Sequence, residues 1–148
     1  MRKIRFGMFE TNSSSAHSIV ISSGKCNETL FKDKNGVVKV EGGEFGWEIK
    51  SYYSSKTKAS YCLTYAKQAR NEEWVEMLRN VIQEHTKASS VEFIPWPSKD
   101  KYYEWGYIDH QSGPKEGGAG SDAFASEKSL KQFIFCPQSI LHTDNDND

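Results

Sequence analysis

The residues best suited to chemistry lie in a short polar run near the start of the sequence. This run contributes the side chains of Asn12, Ser13, Ser14, Ser15, His17 and Ser18. Hydroxyl groups and backbone amides in a turn can cradle an anion, and an imidazole beside them can act as a base or bind phosphate. A nucleophilic serine would need a base and an orienting group. The alternative is a polar loop whose serines cap a turn or a helix end.

A second candidate segment combines an acid, an imidazole and an amide at Asp109, His110 and Gln111. Neighbouring side chains of an extended chain point to opposite sides, so Asp109 and His110 form a pair only if a turn intervenes. Either of them could still meet His17. We therefore predict His17, Asp109 and His110 as catalytic residues of one polar pocket, in which Gln111 and the serine-rich run bind the ligand. The alternative is an exposed polar corner at the end of a strand.

A third candidate is the acidic end of the chain, where Asp144 and Asp146 alternate with amides. The pattern is similar to the first half of a calcium loop, but the glycine and the distal glutamate of such a loop are missing. Mg²⁺ needs only one or two carboxylates from a protein. We therefore predict Asp144 and Asp146 as metal ligands for Mg²⁺, with Asp109 as a shared contact. The alternative is a solvated tail.

Four aromatic residues follow at Tyr102, Tyr103, Trp105 and Tyr107. Aromatic side chains of this kind can stack on nucleic-acid bases. They can equally pack in a core or form a ladder across two strands, and the sequence favours that interpretation.

Composition narrows the classes of function. The 148 residues include 19 lysines and arginines against 20 aspartates and glutamates, for a net charge of −1. This balance excludes a nucleic-acid binder that relies on bulk positive charge. We expect no membrane span and no secretion signal, because no long apolar run occurs. The three cysteines, Cys26, Cys62 and Cys136, are far apart and odd in number, which is typical of free thiols in a reducing cytoplasm.

The elements that must position these residues are strands around a central helical region. Apolar spacing predicts helices over residues 57–70 and 72–87, with Asn71 as the N-cap of the second. Short apolar runs predict strands at residues 19–21, 91–94 and 133–135. The Asn35–Gly36 dipeptide predicts a tight turn, with residues 37–40 as the second arm of a hairpin. The expected fold is α+β, a mainly antiparallel sheet with two to three helices packed on one face. We expect a single domain over residues 1–142 and an acidic polar tail over 143–148.

Residues 9–18, Phe-Glu-Thr-Asn-Ser-Ser-Ser-Ala-His-Ser, resemble the opening of a group of small uncharacterised proteins from tailed bacteriophages and prophages. The resemblance extends to residues 43–48, 106–112 and 143–147. It implies a phage or prophage source and a location in the host cytoplasm. It implies no particular activity and no catalytic residues.

Two main classes of function follow. In the first, the polar motifs form a ligand or phosphate-binding site, with a nucleotide, a nucleic-acid phosphate or a host-protein side chain as substrate and Mg²⁺ as cofactor. In the second, the chain is a host-takeover or anti-defence protein that binds a host protein through exposed aromatics such as Trp47 and Trp105. A minor virion component is a third alternative. Whether the protein is an enzyme stays open at this point.

Overall fold

The computed structural model describes residues 15–46, 48–97, 99, 101–109 and 118–145. Within these ranges the strands are β1 (Ser15–Val20), β2 (Val37–Glu41), β3 (Gly43–Phe45), β4 (Lys50–Tyr52), β5 (Ser90–Ile94), β6 (Gly106–Ile108) and β7 (Ile140–Asn145). The helices are α1 (Ser55–Gln68), α2 (Glu72–Thr86), α3 (Ala119–Ala123) and α4 (Glu127–Phe135). The α+β class predicted from the sequence is therefore confirmed.

The strands form one antiparallel sheet and two smaller parallel pairs. Strand β7 lies between β1 and β4 and is antiparallel to both. Strand β2 pairs in parallel with β5, and β3 pairs in parallel with β6. Parallel neighbours need a long crossover connection, and α1 and α2 supply it between β2 and β5.

The turn at Gly36 forms as predicted, but the hairpin does not. Gly36 has a positive φ of 78°, and its amide donates to the carbonyl of Asp33 at 2.9 Å. The Gly36 carbonyl then accepts from the amide of Ser89 at 2.8 Å. This contact aligns β2 with β5, so the prediction that residues 37–40 form the second arm of a hairpin is wrong.

Helix α1 is the centre of the core, and α2 and α4 pack against it. Side chains around most of α1 are buried, including Tyr61, Leu63 and Tyr65 with no exposed surface. Helix α2 begins as predicted, because the Asn71 side chain accepts from the Trp74 amide. Its buried stripe follows the helical period expected of an amphipathic helix.

Residues 133–135 belong to the end of α4, so the strand predicted there is wrong. Ser126 caps the helix by accepting from the Ser129 amide at 3.0 Å. Leu130, Phe133 and Ile134 then recur at helical spacing and are fully buried. A short apolar run buried on every side does not show by periodicity alone whether it is helix or strand.

The end of the described chain is a central strand, which corrects the boundary expected at residue 143. Residues 143–145 continue β7 and are not part of a tail. Thr143 has no exposed surface and lies between His17 of β1 and Lys50 of β4. Pairing on both edges satisfies the backbone groups of this polar segment.

Two further findings concern membranes and cysteines. No helix within the described ranges is both long enough and apolar enough to cross a bilayer. Cys26, Cys62 and Cys136 are free thiols, and the last two are buried.

Candidate functional site

His17 links three elements of the fold through its imidazole ring. The ring lies on the inner face of β1, toward α1, because Ser18 and Val20 face outward and are exposed. Its Nδ1 is 3.1 Å from the hydroxyl of Tyr61 on α1. Its Nε2 is 2.8 Å from the carbonyl oxygen of Gly46, just after β3.

These two partners fix the protonation state of the imidazole. Burial lowers the pKa of His17, and the opposing effects of the Gly46 carbonyl, Asp109 and Glu48 are smaller. A carbonyl can only accept a hydrogen bond, so Nε2 carries the proton. Burial also raises the pKa of Tyr61, so its hydroxyl stays protonated and donates to Nδ1. Neither ring nitrogen then offers a lone pair to a substrate, which makes His17 a structural link rather than a base in this conformation.

Asp109 lies close enough to His17 to act electrostatically on its imidazole, and a shared catalytic role of the two stays a prediction. Its side chain is buried, and its amide donates to the Phe45 carbonyl at 3.0 Å. Its negative charge acts on the His17 imidazole.

Of the remaining members of the predicted pocket, Ser15 and Ser18 lie on β1 and the others are outside the described ranges. Ser15 lies at the start of β1, opposite Asn145, and Ser18 is exposed on the outer face. The residues outside the described ranges are His110, Gln111, Asn12, Ser13 and Ser14.

Asp144 and His17 lie on opposite faces of the antiparallel sheet, and the role of Asp144 as a metal ligand stays a prediction. Residues directly opposite in an antiparallel pair share a face, and Asp144 lies opposite Ala16, one position from His17. Its carboxylate is 3.5 Å from Nε2 of His142. Asp146 is outside the described ranges. Within those ranges, no group of three or more metal-ligating side chains clusters.

A different site is the cleft between the end of α1 and residues 101–107, which we call the basic–aromatic cleft. Its volume is about 480 Å³, within the range of small-ligand pockets. Residues 101–103 form a single 3₁₀ turn, and residues 106–108 form a strand. The lining residues are Thr64, Lys67, Gln68, Arg70, Lys101, Tyr103, Glu104, Trp105, Gly106 and Tyr107.

Local contacts hold the two walls of the cleft together. The Gln68 side chain donates to the Ile108 carbonyl at 3.0 Å and accepts from the Ile108 amide at 2.9 Å. The Gln68 side chain thus makes the two backbone hydrogen bonds that a neighbouring strand would make along this edge of β6. Gly106 has a φ of 98°, and a Cβ there would collide with the backbone of Gly43. Only glycine combines this conformation with so close an approach.

The aromatic side chains of the cleft are arranged as packed pairs. The Tyr103 and Tyr107 rings meet edge to face, with centroids 5.1 Å apart. The Lys67 ammonium lies 4.2 Å from the centroid of the Trp105 ring, a cation–π contact. Both tyrosines and Trp105 are only partly buried.

The charge of the cleft is positive, although the chain as a whole is slightly negative. Lys67, Arg70 and Lys101 line it together with one carboxylate, Glu104. In the part of the chain that the structure describes, none of these cations forms an ion pair within 4.0 Å. The cleft therefore attracts anions.

Part of this cleft was visible in the sequence. The sequence singled out Tyr103, Trp105 and Tyr107 but favoured packing over binding. It did not single out Lys67, Arg70 or Lys101. These cations have no motif spacing and come together only because α1 packs on β6.

Comparison with known proteins returned no match: no family model fits the chain, and no curated protein or solved structure is significantly similar to it.

Proposed function

We propose that this protein binds a phosphate-bearing ligand with a planar base, of the nucleotide class, in the basic–aromatic cleft. The chemistry of such a site is simple: cations bind phosphate, and aromatic rings stack on a base. The volume of about 480 Å³ fits a ligand of that size.

The observation that carries this proposal is the placement of Lys67, Arg70 and Lys101 beside three partly buried aromatic rings. Three cations against one carboxylate make the potential in the cleft positive, which favours an anionic ligand. Arg70 is well suited to phosphate, because its planar guanidinium can donate two parallel hydrogen bonds.

The aromatic rings favour a nucleotide over inorganic phosphate. Stacking of a base on an aromatic side chain contributes about 1–3 kcal/mol. The Lys67 ammonium already occupies one face of Trp105 at 4.2 Å, so a base would stack on the tyrosines or displace this lysine toward the phosphate.

The proposal includes binding and no catalytic step. Both ring nitrogens of His17 are hydrogen-bonded within the protein. A second ligand site that combines the serine-rich run with Asp109, His110 and Gln111 stays a prediction, with Mg²⁺ as its cofactor.

The source of the protein is also a proposal. The resemblance of residues 9–18 to phage and prophage proteins supports a bacterial host cytoplasm, where nucleotides and nucleic acids are abundant. A host-takeover role through contact with a host protein stays the alternative proposal.

The test is a thermal-shift and calorimetry series with adenosine, guanosine, cytidine and uridine phosphates, inorganic phosphate and free nucleosides. A ligand at 100 times its dissociation constant stabilises the folded state by about 2.7 kcal/mol. For a chain of this length that corresponds to a rise in Tm of about 5–10 °C.

The variant to compare is the double substitution Arg70→Gln and Lys101→Gln, since both side chains are exposed and the fold should survive. We expect at least about a tenfold loss of affinity, as for the loss of one charge-assisted contact. The matched control is Lys128→Gln, an exposed lysine on α4. Absence of binding by all the nucleoside phosphates, or equal binding by the double variant, would overturn the proposal.

A further inference from the structure

A second cavity lies on another part of the surface, along β2 and β3. This groove has a volume of about 990 Å³. It is lined by the chain at residues 28–33, by β2 and β3, and by the first turns of α1. Apolar side chains inside it include Leu30, Val40 and Phe45. Phe31 stands at its rim with 84% of its surface exposed.

The groove runs along a free edge of β2. Within the described ranges, β5 is the only strand paired with β2. The edge of β2 that faces away from β5 is covered only at Val37, the first residue of the strand. There the Asp33 amide donates to the Val37 carbonyl, and the Asp33 carboxylate accepts from the Val37 amide. No strand continues this pairing beyond Val37 in the described part of the chain.

Alternation along β2 shows which backbone groups face the groove. The Gly42 amide points toward β5, because it donates to the carbonyl of Ile94 at 3.0 Å. The amide and carbonyl of Val37 point away from β5, because both bond to Asp33. Backbone groups of successive residues in a strand point to opposite edges. Lys39 and Glu41 have the same parity as Val37, so their amides and carbonyls face the open edge.

The charge of the groove is negative. Its lining contains four carboxylates and two ammonium groups, a net charge of −2. The carboxylates belong to Glu28, Asp33, Glu41 and Glu44. None of them forms an ion pair within the described ranges. A basic occupant would complement this charge.

We propose that this groove binds an extended peptide of a partner protein, which adds a strand to the free edge of β2. The backbone of the peptide would bond with Lys39 and Glu41, as in other cases of strand addition. Side chains of the peptide would alternate between apolar residues, which contact Val40 and Phe45, and basic residues, which face the carboxylates. This surface is separate from the basic–aromatic cleft and does not depend on nucleotide binding.

The experiment uses the full-length protein as the target for selection from a random peptide library. The peptides are about nine residues long, which is enough to cover a typical strand. We expect the selected peptides to alternate basic and apolar residues. Their affinities are then measured by fluorescence anisotropy, with and without the nucleoside phosphates, which should not displace them.

The decisive variant is Lys39→Pro, which removes the outward amide of residue 39 and leaves the bonds to β5 in place. We expect at least about a tenfold loss of peptide affinity. Lys39→Ala removes the same side chain but keeps the amide, so it should bind like the wild type. A melting temperature equal to that of the wild type shows that a variant is folded. The double variant Glu41→Gln/Glu44→Gln is a second test, because it removes two negative charges and leaves the backbone unchanged.

Three results would overturn the proposal. They are a selection that yields no binders, a selection that enriches acidic peptides, and selected peptides that bind the wild type and both the Lys39→Pro and the Glu41→Gln/Glu44→Gln variants equally.

Discussion

Replacing Gln68 with methionine would separate the free edge of β6 from helix α1 while keeping a side chain of similar size. The Gln68 amide makes two hydrogen bonds with the backbone of Ile108, at 3.0 and 2.9 Å. Ile108 is fully buried, so water does not readily replace these bonds. Methionine removes both and leaves the Ile108 amide and carbonyl on this side without a partner.

The magnitude follows from those two backbone groups. A buried polar group that loses its partner costs about 1–3 kcal/mol. Gln68 itself is only partly buried, so some relaxation toward water will reduce the loss. We expect a decrease of about 2–4 kcal/mol in the free energy of unfolding, or about 5–15 °C in Tm for a chain of this length.

Urea denaturation followed by tryptophan fluorescence measures this change, since the chain has four tryptophans. The matched control is Gln83→Met on α2, where the amide donates to the carbonyls of Ala88 and Ser89 at 3.4 and 3.1 Å. These bonds are longer and more exposed, so the control should cost less than about 1 kcal/mol.

The same variant should also weaken nucleotide binding, because Gln68 holds β6 and the adjoining Trp105 and Tyr107 against α1. If Gln68→Met is no less stable than Gln83→Met, the Gln68–Ile108 contact does not hold this part of the fold together. Other contacts would then hold the two walls of the cleft together.

Three further predictions use groups elsewhere in the fold. Because burial lowers the pKa of His17 below 6.5, the unfolded chain binds the proton more readily. The contribution of His17 to the free energy of unfolding is therefore complete above about pH 6.5 and falls at lower pH, by up to about 1.4 kcal/mol per pH unit. Urea titrations at several pH values should show this fall, and the fall should be smaller in His17→Gln. Gly120→Ala places a Cβ 2.5 Å from the Tyr65 ring, so calorimetry should show a loss of about 1–3 kcal/mol, whereas Gly46→Ala, whose nearest neighbour is 3.9 Å away, should cost less. Burial raises the pKa of Cys62, so mass spectrometry after maleimide treatment should find it unlabelled until the chain unfolds; rapid labelling of the native protein would contradict its burial.

Local features of the fold could be predicted because their causes are local. The stripe of α2 repeats with the helical period, and the Asn71 cap bonds within its own helix. The turn at Gly36 needs a positive φ that glycine adopts readily. These patterns predicted two central helices and strands on both sides of them, which is enough for the α+β class.

Strand pairing could not be predicted, because it depends on contacts between distant residues. Nothing within residues 35–40 shows that β2 lies beside β5, some fifty positions later. Likewise, the polar character of Thr143 suggested a tail, although two neighbouring strands bury it. The apolar run at residues 133–135 fits a buried helix as well as a buried strand, and only the packing of α4 decides between the two.

The chemistry of the site divides in the same way. Residue types alone show which side chains can bind or react, and they pointed to His17, Asp109 and the aromatic residues near position 105. Only the folded chain shows that both nitrogens of His17 are bonded within the protein. It also shows that Lys67, Arg70 and Trp105 line the same cleft. The reason is physical: residue types determine chemical capability, but the packing of α1 on β6 determines which of those groups meet.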